Sequence, residues 1–260
     1  MRFRDLRRLL FWHGRDFGLK LNYFTIWCIY KRSIFGCSSW FFNFQNGLSA
    51  INPTDNLIMA LFPVCMTNFA QSFWVIYSHD INRGKYGKDY ASEKKLPFHL
   101  SDLYSLCRNE QKQFITRFVY FFLYGWASAY MIYQIFFGTQ VSNGGMLSQN
   151  GQCMGSFLFG VESVICVCSV YHIHCMMNVR EWNVMMAGIW LASVSFCIIV
   201  LLGNNIMPKA ETYMSLSYTM SEPLIWLQIF LTVGMICMPL YFAGRFQQVI
   251  MYPQFWAVDC

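Results

Sequence analysis

The feature that most constrains this 260-residue chain is a series of apolar runs, each about as long as a bilayer core is thick, separated by short basic stretches. The runs cover about Leu21 to Phe44, Leu57 to Ser78, Ile115 to Phe137, Ser156 to Met177, Val184 to Gly203 and Pro223 to Ala243. Crossing hydrocarbon takes roughly twenty apolar residues as a helix, and backbone N–H and C=O groups cannot stay unpaired there. Runs of this length therefore predict helices. The expected fold class is an all-α membrane protein with six transmembrane helices, both termini cytosolic, forming one domain over residues 1–260.

Composition agrees with that class. Hydrophobic residues make up 56% of the chain and charged residues only 12%, against roughly 25% charged in soluble domains. Aromatic residues reach 19%, and such rings favour membrane interfaces and packed helix bundles. The net charge of +6 does not point to nucleic acid, because the basic residues lie in blocks between apolar runs rather than on one soluble face. Cytosolic loops are enriched in Lys and Arg, so the blocks read as topology signals. Arg2, Arg4, Arg7, Arg8, Arg15 and Lys20 precede the first run, and Arg83, Lys85, Lys88, Lys94, Lys95, Arg108 and Lys112 separate the second from the third. Arg180 and Arg245 fall on the same side, and the opposite loops carry only Lys209. Charges within residues 1–20 leave no uncharged core for a signal peptide, so a cytosolic start is expected.

Several chemistries find no support. The 11 cysteines are scattered, mostly inside apolar runs, without zinc spacing or a disulfide framework. No phosphate loop, nucleophile elbow or HExxH motif occurs, and no soluble segment is large enough to hold a nucleotide. An autonomous enzyme is not expected. Transport, a channel or a membrane scaffold are the remaining classes.

Charges at membrane depth are costly, about 2.5 to 3.5 kcal/mol each on insertion scales, so they mark candidate functional positions. Lys31 and Arg32 stand about ten residues into the first run. The alternative is that the helix begins deeper in the cytosol and leaves Lys31 interfacial. Pro63 in the second run removes a backbone donor and frees a carbonyl, opening that helix to a polar guest or merely kinking it. Glu162 is either an intramembrane acid or a residue of the exoplasmic mouth. His172 and His174, two apart on a helix, face different ways and are not expected to share a metal.

The opening string Leu6 to Arg15, LRRLLFWHGR, resembles the segment by which type IV P-type ATPases, the phospholipid-translocating flippases, enter their fifth membrane helix. Tyr30-Lys31 resembles that family's Tyr-Lys-Asn, and Asn46-Gly47-Leu48-Ser49 its Asn-Gly-Phe-Ser-Gly-Gln. Asp80-Ile81-Asn82 is similar to the end of its Phe-Asp-Gln-Asp-Val motif. Leu103-Tyr104, Arg108-Asn109 and Phe114 resemble the stretch before the seventh helix, and Trp182, Trp226 and Tyr252-Pro253 continue the match. Arg32, Pro63, Ala70 and Ala50-Ile51 depart from the family's Asn, Asn, Pro and Gly-Gln.

The resemblance implies that the six runs are helices five to ten of a P-type ATPase moving phospholipid from the exoplasmic to the cytosolic leaflet. It implies Lys31 as the intramembrane lysine of lipid handling, and Lys31, Arg32, Ser39 and Pro63 as candidate substrate-path residues. It also implies a phospholipid substrate, a two-span accessory beta-subunit, a missing N-terminal part of the ATPase, and residence in the plasma membrane or a secretory-pathway membrane. The Asp-Lys-Thr-Gly and Gly-Asp-Gly motifs are absent from the sequence. No catalytic residue, metal ligand or cofactor is therefore expected in this chain, and ATP and Mg2+ belong to the full-length parent. The chain is expected to be the C-terminal part of such a protein, the alternative being a non-catalytic scaffold or helper chain.

Overall fold

The structure is a computed structural model, and it describes residues 17–45, 47–50, 52–62, 68–77, 114–142, 155–179, 182, 184–208, 210 and 212–246. Among the described residues the chain is helical, without strands. In chain order the helices are α1 (Phe17–Gln45), α2 (Asn56–Leu61), α3 (Phe69–Tyr77), α4 (Phe114–Ser142), α5 (Ser156–Asn178), α6 (Val184–Ile206), α7 (Ser215–Ser221) and α8 (Pro223–Phe246).

Three of these, over Ser156–Met177, Val184–Ile206 and Pro223–Gly244, are long and apolar enough to cross a membrane. At 29 residues each, α1 and α4 have the length. Lys20, Lys31 and Arg32 in α1, and the many tyrosines of α4, make them less apolar. The second run, expected as one helix over 57–78, is described as α2 and α3 on either side of residues 63–67, which lie outside the described residues together with Pro63.

The side chains of α6 show which solvent the bundle faces. Its outward residues Val184, Met185, Leu191, Ile198, Ile199, Leu202 and Ile206 are exposed and apolar, whereas Ser193, Cys197, Asn204 and Asn205 point inward. A helix of a water-soluble protein has the opposite arrangement. The surroundings that satisfy α6 are hydrocarbon, where polar side chains find partners only inside the bundle.

At the centre lies α5. In its most apolar stretch 72% of the residues are buried, against 28% for α6, and it packs against α1, α4, α6, α7 and α8. A helix apolar on all sides is one surrounded by protein. The loop before α2 presses on it so closely that a Cβ at Gly160 would overlap the carbonyl oxygen of Pro53.

Packing of α4 along α1 fixes the candidate site. Without a hydrophobic drive between helices in lipid, small residues let backbones approach and van der Waals contact holds them. A Cβ at Gly125 would lie 2.9 Å from the Ser33 Cβ and 3.2 Å from the Tyr30 carbonyl oxygen. Beside this crossing, the Tyr30 and Ser128 hydroxyls meet at 3.4 Å and the Tyr30 ring stacks on Tyr124 at 5.9 Å. Pro239 sits inside α8, and the Tyr124 hydroxyl donates to the carbonyl oxygen of Ile236, three residues earlier, at 2.8 Å. A proline leaves carbonyls of the preceding turn short of donors, and Tyr124 supplies one.

Candidate functional site

Lys31 is the midpoint of the 29-residue α1. At a rise of about 1.5 Å per residue it is roughly 21 Å from either end of that helix, beyond the reach of a lysine stem. Its side chain is 2% exposed, so the ammonium is held by protein groups.

Those groups come from α3 and α5. The Lys31 Nζ donates to Asn68 Oδ1 at 2.8 Å and to Gln71 Oε1 at 2.7 Å, and it lies 4.0 Å from the centroid of the Tyr171 ring. An ammonium has three N–H donors, and two oxygens with one aromatic face meet all three. Asn68 lies immediately before α3, and its backbone carbonyl oxygen accepts from the Ser72 hydroxyl at 2.8 Å. Its Oδ1 also accepts from Cys28 Sγ at 3.4 Å. Spaced three apart, Asn68 and Gln71 share a face toward α1.

An aromatic wall closes the site. The Trp27 ring lies 3.5 Å from that of His174 and 5.1 Å, edge-on, from that of Tyr30. Trp27, Gln71, Trp74, Tyr171, His174 and Cys175 line a cavity of about 20 Å³. That is room for one water, and a phospholipid head group does not fit.

Of the three candidate residues that the structure describes, Lys31 alone enters this cluster. Arg32, one step along α1, is exposed on another face. Ser39 is half-buried, and its hydroxyl donates to the Phe35 carbonyl of its own helix at 3.5 Å. Pro63 falls outside the described residues. Asn68, Gln71 and Tyr171 were not singled out from sequence. Two amides three residues apart within an apolar run were the available signal for the first two, and nothing local marked Tyr171.

The two histidines of α5 part ways. His172 Nε2 lies 3.4 Å from Cys197 Sγ on α6, while His174 packs on Trp27 of α1. Glu162 is 0% exposed, and neither carboxylate oxygen has a hydrogen-bond partner among the described residues. It is a fully buried residue of α5. Also among the described residues, no three His, Cys, Asp or Glu side chains converge to hold a metal ion.

A helical bundle with an apolar exterior and a buried, hydrogen-bonded lysine at mid-helix defines an α-helical membrane domain. The chain belongs to the family described as phospholipid-translocating P-type ATPase C-terminal, whose model matches residues 1–254. It is 24% identical over 259 residues to the human protein named probable phospholipid-transporting ATPase IM, covering 96% of this chain and 20% of that one. To the mouse phospholipid-transporting ATPase IC it is 22% identical over 258 residues, again covering 96% and 20%. The chain thus spans about a fifth of the length of the curated relatives it matches.

Proposed function

We propose that this chain forms the C-terminal transmembrane part of an ATP-driven phospholipid translocase, moving lipid from the exoplasmic to the cytosolic leaflet. On this reading α1, α2 with α3, α4, α5, α6 and α8 make up six spans with both termini cytosolic, in the plasma membrane or a secretory-pathway membrane. ATP and Mg2+ act in the N-terminal part of such a protein, and a two-span accessory subunit is its membrane partner.

The carrying observation is the caged Lys31 ammonium at the centre of α1, in a chain whose family translocates phospholipid. A cation held inside a membrane bundle is a counter-charge for a head-group phosphate or carboxylate. Lys31 is assigned as the contact with the head group, and Arg32, Ser39 and Pro63 as residues along its path. The test is ATP-dependent translocation of a labelled phospholipid in proteoliposomes by the intact protein that carries this region. Lys31→Ala is expected to lower the rate at least tenfold while the protein still inserts. An unchanged rate would remove Lys31 from the path.

A further inference from the structure

Every N–H direction of Lys31 is already occupied: Asn68 Oδ1 at 2.8 Å, Gln71 Oε1 at 2.7 Å and the Tyr171 face at 4.0 Å. Two oxygens about 3 Å from an ammonium are also what a phosphate or carboxylate would present to it. The adjoining cavity, at about 20 Å³, takes a water and no more. A head group therefore cannot be added to the site as it stands.

We propose that Asn68 and Gln71 are positioning residues whose amide oxygens stand in for the oxyanion oxygens of a phospholipid head group on Lys31. The head group binds by exchange with them. This rests on the assignment of Lys31 as the head-group residue. Before lipid arrives, the two amides meet the desolvation cost of a buried ammonium, which unpaired would strongly destabilise the bundle. A neutral amide oxygen is the weaker acceptor, so an anionic oxygen displaces it with net gain. Once displaced, an amide can turn its NH2 toward the oxyanion, which a carboxylate in the same place cannot do.

Gln71→Glu separates exchange from a purely structural role. The shape is kept and an ion pair with Lys31 replaces the neutral bond, so folding is preserved while exchange is blocked. The intact protein that carries this region is placed in phosphatidylcholine nanodiscs with spin-labelled phosphatidylserine, and the immobilised lipid fraction is measured with the thermal midpoint. Exchange predicts an equal or higher midpoint and at least tenfold weaker lipid binding. Asn68→Asp repeats the test from the second amide should Gln71→Glu fail to fold. Wild-type lipid binding in a folded acidic variant, with Lys31→Ala binding weakly, overturns exchange and leaves the role of Lys31 standing. Undiminished binding by Lys31→Ala overturns both. Inorganic phosphate that releases the spin-labelled lipid at equal concentration would show that the site takes a free anion, against the lipid assignment.

Discussion

Replacing Gly125 with alanine tests the α1–α4 crossing that sets the rotation of Lys31. The added Cβ would lie 2.9 Å from the Ser33 Cβ and 3.2 Å from the Tyr30 carbonyl oxygen. Carbon pairs rest at about 3.5–4.0 Å, so one helix must move by several tenths of an ångström. Overpacking of this kind costs about 1–3 kcal/mol. Against it, alanine is about 1 kcal/mol better than glycine inside a helix. The net expectation is a loss of about 0–2 kcal/mol, a range too near zero to be decisive by itself. A double-mutant cycle sharpens it. In a Ser33→Gly background the nearest contact is gone, and Gly125→Ala should become neutral or stabilise by up to about 1 kcal/mol. Ser33→Ala retains the Cβ and should retain the penalty. The assay is unfolding in mixed micelles by titration with SDS, followed by circular dichroism. Effects of Gly125→Ala that agree within about 0.5 kcal/mol in the wild-type and Ser33→Gly backgrounds would mean that the helices do not touch there, and the placement of Lys31 would lose its support.

Two other substitutions probe the loops. Ala50 has φ 56°, a left-handed conformation that opposes a Cβ, at the position where the family motif has glycine. Ala50→Gly should raise stability by about 0.5–1 kcal/mol in the same titration, the relief of strain being offset partly by unfolded-state entropy; a loss would contradict the backbone geometry. Asn205 Oδ1 accepts from the Leu216 and Ser217 N–H groups at 3.1 and 3.2 Å, and its Nδ2 donates to Ser217 Oγ at 2.8 Å. Asn205→Ala should cost about 1–2 kcal/mol and speed hydrogen exchange at Leu216 and Ser217, and unaltered exchange would show that α7 holds without this cap.

The long helices could be read from sequence because hydrocarbon leaves the backbone of a twenty-residue apolar run few alternatives. Lys31 stood out for the same reason, as a charge in a costly place. Its surroundings did not, since Asn68 and Gln71 are 37 and 40 residues away and meet it only through the packing of α3 on α1. The contrast with Arg32 is instructive. Both residues are basic and adjacent, yet a single step of about 100° around the helix puts one in the cage and the other outside. That rotation is set by Gly125 and Ser33, whose meaning is tertiary. The short helix α7 was hidden because the residue before it, Met214, offers no side-chain cap and has φ 60°. The capping oxygen comes from Asn205, at the end of another helix.

The central place of α5 also bears on how the bundle is made. Synthesis runs from the N-terminus, so α1 and α4 are present when α5 emerges, whereas α6, α7 and α8, which cover its other sides, follow. During that interval His172 of α5 still lacks Cys197 of α6, which lies 3.4 Å from it in the finished bundle. Insertion of α5 is therefore a provisional step, completed only when the last helices close around it. A ribosome that stalls before α6 would leave a membrane-bound intermediate with His172 open to lipid, the kind of surface that chaperones and membrane proteases engage.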